Sequence, residues 1–108
     1  MIHKLINAMY KKDYYGMAEC FAQDCRYHDY CPSLNGMENY FVYGREAIEM
    51  FFRNRFIHNH FDIASPRIKN EREATFFGSY DGPFVFARLI VEEIDENGLI
   101  TKVVISAA

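Results

Sequence analysis

The 108-residue chain has no tryptophan, only three prolines and three cysteines, and no long apolar run. No stretch approaches the roughly 20 apolar residues a membrane helix needs, so no span is expected. The opening residues, Met1-Ile2-His3-Lys4, carry no apolar segment and no small-residue cleavage site, so no secretory signal is expected. Cys20, Cys25 and Cys31 form an odd set without a C-x-x-C pair. They read as reduced thiols of a cytoplasmic protein rather than as a disulfide framework. Twelve basic residues stand against 15 acidic ones, a net charge of −3. Non-specific nucleic-acid binding runs on clustered Lys and Arg, and this balance argues against it. No glycine-rich phosphate loop is present, because Gly78, Gly82 and Gly98 fall in hairpins or strands.

Aromatic residues are abundant. Eight tyrosines and ten phenylalanines in so short a chain need a large core, a lined cavity or a subunit interface to absorb them. The length corresponds to one domain, residues 1–108, with one core.

The first half of the chain has helical periodicity. Ile2, Leu5, Ile6 and Met9 fall at i, i+3, i+4 and i+7. Asp13 is a plausible N-cap for a second helix, on which Tyr14, Met17, Ala18 and Phe21 repeat the spacing. Cys25 to Tyr30 reads as a strand, and the segment from Cys31 to Tyr43 as a long functional loop. A third helix begins near Gly44, with Ala47, Ile48, Phe51, Phe52 and Phe56 as its apolar stripe. From His60 the pattern changes. Strands are expected at 61–69, 74–80, 84–94 and 99–106, with Asp81-Gly82 and Asn97-Gly98 as hairpin turns. Pro66 makes the first of these an edge strand or a bulged one. Helices followed by a meander indicate an α+β domain. Three helices from the N-terminal half pack on a strongly curved, mainly antiparallel sheet and leave a cone-shaped cavity.

This order, with three local motifs, resembles the ketosteroid isomerase-like superfamily. That superfamily shares its fold with nuclear transport factor 2, the SnoaL-like polyketide cyclases and limonene epoxide hydrolase. Phe21-Ala22-Gln23-Asp24-Cys25-Arg26-Tyr27-His28-Asp29 is similar to the isomerase stretch F/Y-A-x-D-A-x-V-x-D, which ends in the general-base aspartate. Tyr43-Gly44-Arg45-Glu46-Ala47-Ile48 resembles the start of the family's third helix. Asp95-Glu96-Asn97-Gly98-Leu99-Ile100 resembles the hairpin before its last strand. The resemblance puts the base on Asp29. It puts the two oxyanion-hole donors on Leu5 and Ile90, both apolar. Loss of one such donor typically costs ~10²–10³ in rate, so steroid isomerisation by the family's mechanism is not expected. A donor from Tyr10 or Tyr14 would restore it.

Asp29 is the sharpest candidate for catalysis. On a strand, Cys25, Tyr27 and Asp29 share one face. A carboxylate at the mouth of an aromatic cavity has its pKa raised toward the range of a general base. The other reading is an ordinary strand-end aspartate, solvated or capping the next loop. Tyr27, Tyr40, Tyr43, Phe76, Phe86, Arg88, Ile90, Val103 and Ile105 are the candidate ligand-binding set. Core packing is the alternative for the aromatics among them. If Arg88 faces the cavity it needs Asp29 or an anionic ligand as partner. If a bulge flips the register, it is solvated beside Glu92. Asn39 to Tyr43 reads as a lid or as a dimer contact. His58, His60 and Asp62 span about 13 Å on a strand, too far to share one ion, so no metal is expected.

These residues support an acid–base enzyme of the isomerase, cyclase or lyase kind, with Asp29 acting on a small apolar or anionic, cyclic ligand and no cofactor. Two alternatives stand beside it: a non-catalytic ligand-binding domain, and a homodimeric interaction module. The family implies a dimer through the sheet, which would cover an apolar face carrying Val85, Leu89, Val91 and Val104.

Overall fold

A computed structural model describes residues 1–108. Helix α1 (Ile2–Tyr10) buries Ile2, Leu5, Ile6 and Met9, the stripe its periodicity demands. Helix α2 (Tyr14–Glu19) starts where Asp13 accepts a hydrogen bond from the Gly16 N–H at 2.9 Å. It ends at Glu19, not at Phe21, because Phe21 opens strand β1 (Phe21–Asp29) and pairs with Ile100. A short 3₁₀ helix (Pro32–Asn35) follows. The expected long loop then gives way to a further strand, β2 (Tyr40–Tyr43), antiparallel to β1. Tyr40 to Tyr43 is therefore a sheet edge and not a lid.

Helix α3 (Arg45–Ile57) begins at Gly44, whose φ of +97° suits a residue without a Cβ. Arg45 fixes the start of α3 on the sheet through Nε donating to the Phe21 carbonyl at 2.9 Å. Strands β3 (Asp62–Ile68), β4 (Glu73–Ser79), β5 (Phe84–Ile94) and β6 (Ile100–Ala107) complete the chain. Pro66 lies in β3, which is an edge strand and bulges between Ala64 and Arg67. The sheet order is β2-β1-β6-β5-β4-β3. β1 and β6 run parallel, and every other neighbouring pair is antiparallel. The sheet is curled but not closed, and three helices pack on it, as expected for this α+β class. No helix is long and apolar enough to cross a membrane.

The inside of the curl is packed with rings. Tyr27, Phe52, Phe61 and Phe76 are all completely buried. Tyr27 meets Phe52 edge-on at 5.0 Å between centroids, Phe52 meets Phe61 at 5.8 Å, and Phe61 meets Tyr80 at 5.1 Å. The core thus absorbs eight of the 18 aromatic residues, and another eight, Phe41, Tyr43, Phe77 and Phe86 among them, are exposed. Cys20, Cys25 and Cys31 are buried, unpaired thiols.

Candidate functional site

β1 alternates as its sequence requires. Cys25, Tyr27 and Asp29 point inward, and Arg26 and His28 point outward. Asp29 ends the strand with no exposed surface. Its Oδ1 accepts the Cys31 N–H at 2.9 Å, and its Oδ2 accepts the Tyr80 hydroxyl at 2.6 Å. Burial raises the carboxyl from its ordinary 3.8 to about 6, and the hydrogen bonds from Tyr80 and Cys31 oppose that rise. The same environment acts on its neighbours. Burial and then the Asp29 charge push the Tyr80 phenol far up, and push the Cys31 thiol to about 12. Cys31 is therefore no nucleophile. The Tyr27 hydroxyl makes no hydrogen bond within the protein.

The segment that seals Asp29 is the 3₁₀ helix and its flanks. Asn35 Nδ2 donates to the Tyr80 carbonyl at 3.3 Å, joining this segment to the β4–β5 turn. Outside this seal lies a cleft of about 400 Å³. Tyr40 and Tyr80 form its aromatic floor, with Asn54, Arg55, His60 and Asp81 among its polar walls. Asp29 lines no open cleft; it stands behind Tyr80.

The expected ligand-binding residues separate into three groups. Tyr40 lines the cleft. Tyr27, Phe76, Val103 and Ile105 are inward but belong to the packed core. Tyr43, Phe86, Arg88 and Ile90 lie on the outer face of the sheet, away from Asp29. On β5 the buried residues are Ala87, Leu89 and Val91, so the parity expected for Phe86, Arg88 and Ile90 is inverted. The expected face was that of Ile90, placed by the resemblance from the Asp95 hairpin, and the β5–β6 pairing is irregular between Val91 and Ile94, across that count. One slipped residue moves a whole strand to the opposite face. Arg88 pairs with neither Asp29 nor Glu92; its Nε donates to Glu73 at 2.9 Å on the outer surface. Leu89 and Val91 likewise are core residues and not part of an exposed sheet face.

The sequence reading also missed Tyr80, Arg55 and the partner of His60. His60 Nδ1 lies 2.6 Å from Asp81 Oδ1, and the His58 ring centre lies 6.0 Å from that of His60. No three His, Cys, Asp or Glu side chains are grouped so as to hold a metal ion. The Asp81-Gly82 hairpin was legible; that it brings Tyr80 to Asp29 and Asp81 to His60 was not.

No protein-family profile matches the sequence, and no curated protein matches it either. Solved structures do match. An NTF2-like protein of unknown function from Cytophaga hutchinsonii superposes with a TM-score of 0.67 at 9% identity, over 99% of this chain and 86% of that one. The chain has the NTF2-like fold. A SnoaL-like protein of unknown function from Burkholderia thailandensis gives 0.65 at 13% identity, over 98% and 89% of the two chains. A chain from the complex of the yeast deubiquitinase Ubp3 with its cofactor Bre5 gives 0.65 at 15% identity, over 99% and 91%. At these identities the likeness carries the NTF2-like fold and no activity. The same fold serves unrelated purposes, so function rests on the site.

Proposed function

We propose that this NTF2-like domain binds a small organic molecule in the cleft over Tyr40 and Tyr80, with Asp29 behind Tyr80 as its acid–base group. One observation carries the reading. A buried carboxyl held near pH 6 is hydrogen-bonded to a phenol that itself lines a cleft of about 400 Å³. The cleft has the size of a small-molecule site and joins two aromatic rings, Tyr40 and Tyr80, to convergent polar groups, Asn54, Arg55, His60 and Asp81. A carboxyl with a pKa near neutrality is suited to both taking and giving a proton. The proton passes through the Tyr80 hydroxyl, since Asp29 itself meets no solvent. The reaction class is isomerase, cyclase or lyase chemistry on a cyclic substrate. Steroid isomerisation is excluded from the proposal, because Leu5 and the inward β5 residues Leu89 and Val91 offer no oxyanion donor. The three buried, unpaired thiols support a cytoplasmic setting.

Native mass spectrometry of the purified protein tests the reading, followed by a fragment screen read by NMR at Tyr40 and Tyr80. A co-purified compound, or fragments that shift those resonances, supports it. An empty protein that binds no fragment there overturns it. Asp29→Asn is then expected to keep affinity and lose turnover; equal turnover in both proteins removes Asp29 as the acid–base group.

A second reading is an interaction module, favoured by the outer sheet face. Phe41, Tyr43, Phe77 and Phe86 are each 41–59% exposed there. Such a face fits a homodimer through the sheet. The complex of the yeast deubiquitinase with its cofactor is an instance of the fold within a protein assembly.

A further inference from the structure

We propose that Arg55 is a carboxylate-recognition residue, so that the ligand of the cleft is an organic acid. The inference rests on the cleft being a ligand site and adds the chemical class of the ligand.

The chain has two half-buried arginines. Arg45 gives its guanidinium to main-chain carbonyls, Phe21 at 2.9 Å and Glu19 at 3.5 Å. Arg55, in the last turn of α3, has neither a carboxylate nor a main-chain carbonyl as partner. Its Nη1 donates to the neighbouring Asn54 Oδ1 at 2.8 Å. The guanidinium carbon stands 4.2 Å from the centre of the Phe51 ring and 5.5 Å from that of Tyr40. A stacked guanidinium is held flat by the rings, and its edge N–H groups remain as donors. Five donors in a fixed fork match a carboxylate in a bidentate pair, and lysine does not reproduce that geometry. The cation also sits over Tyr40, a ring that lines the cleft, so a ligand entering the cleft meets the guanidinium beside that ring.

Two acidic groups, Asp81 and Glu38, also line the cleft. Asp81 already has His60, whose Nδ1 lies 2.6 Å from its Oδ1. Glu38 lies on the exposed rim of the cleft, where water screens it. His60 is held beside Arg55, because its main-chain N–H donates to the Arg55 carbonyl at 2.7 Å. Both residues line the cleft.

The test pairs each acid with its uncharged amide. Benzoate and benzamide, cyclohexanecarboxylate and its amide, and hexanoate and hexanamide are titrated into ¹⁵N-labelled protein. The Arg55 Nε–H and the Tyr40 and Tyr80 amides are followed. The expected result is that at least one acid binds about tenfold or more tightly than its amide and moves the Arg55 Nε–H. Arg55→Gln should abolish that preference, and Arg55→Lys should keep part of it, with melting temperatures confirming that both variants fold. Acids and amides that bind equally well overturn the carboxylate assignment and leave the cleft as a ligand site. If no probe of either kind binds, the cleft reading and this inference fall together. An acid preference that survives Arg55→Gln also overturns the assignment.

Discussion

Tyr80 donates its hydroxyl to Asp29 across 2.6 Å, between the end of β4 and the end of β1, two strands separated in the sheet by β6 and β5. The bond spans the inside of the curl and not a ladder. It draws the β4–β5 turn toward the 3₁₀ segment, which Asn35 also holds to Tyr80. The cleft, its aromatic floor and the buried carboxyl are thus one construction.

Asp29 should make the protein less stable as pH rises from about 4 to about 6. The folded carboxyl keeps its proton up to about 6, while in the unfolded chain it releases it near 3.8. Between these values the folded state binds more protons, so its stability falls with rising pH and levels off above. The span corresponds to about 3 kcal/mol at most. Urea denaturation at pH 4, 5, 6 and 7, compared with Asp29→Asn, isolates the effect. The wild-type minus variant difference should slope in that window and be flat from pH 7 upward. A carboxyl ¹³C titration with its midpoint near 4 would contradict the assignment.

Tyr80→Phe removes one hydroxyl and leaves the ring in place against Phe61 and Tyr40. At neutral pH it leaves an ionised buried oxygen without its donor, which costs about 1–3 kcal/mol. The same bond lowers the Asp29 pKa, so the variant's carboxyl should titrate higher than in the wild type. The destabilisation should shrink in acid, where Asp29 is neutral. A loss of stability that is the same at pH 4 and pH 7 would mean that the hydroxyl matters for packing and not for the charge.

The sequence made the framework legible because its signals are local. Amphipathic spacing located α1 and α3, Asp13 marked the start of α2, and two hairpin turns framed β4, β5 and β6. Alternation put Cys25, Tyr27 and Asp29 on one face of β1, and the resemblance, not the alternation, pointed Asp29 into the curl. On β5 alternation did group Phe86, Arg88 and Ile90 on one face, but the resemblance turned that face inward, because its count from Asp95 crosses the irregularity between Val91 and Ile94. β2 was hidden by its four-residue length and by the loop residues before it. Tyr80 and Arg55 were illegible for another reason. Their roles depend on contacts with Asp29 and Tyr40 that only the folded curl brings about.

Gly78→Ala should disturb the site without touching a polar group. A Cβ there would lie 2.9 Å from the Tyr80 ring, 3.1 Å from its hydroxyl oxygen and 3.2 Å from the Phe76 ring. Both rings are buried, so neither gives way without cost, and overpacking of this kind costs about 1–3 kcal/mol. Displacement of Tyr80 should also move the Asp29 titration in the direction of Tyr80→Phe. Part of the cost should therefore be shared, and the double variant should be less destabilised than the sum of the two single changes. Strict additivity in urea denaturation would place the strain elsewhere than on the Tyr80–Asp29 bond.

The outer face of the sheet should hold two copies together. Phe77 and Phe86 stack there at 4.9 Å between centroids, and Phe41, Tyr43 and Tyr30 gather around His28 on the far strands. Three cations of this face are paired within one chain, Arg26 with Glu93, Arg88 with Glu73 and Lys102 with Glu92, while Arg67, beside Phe77 and Phe86, has no ion pair. The aromatic groups demand no oppositely charged partner, and a second copy related by a two-fold axis meets them with the same surface. A stable dimer buries about 800 Å² on each side, which requires both aromatic groups and not one alone. Light scattering at micromolar concentration should therefore give a dimer. Phe86→Glu and Phe41→Glu should each yield a folded monomer, because either one sets a desolvated charge against its own copy. Arg88→Ala should leave the dimer intact, since its ion pair with Glu73 is a surface pair of small worth. A wild-type monomer at that concentration would reject the dimer, and a dimer that persists in both glutamate variants would assign it to another surface.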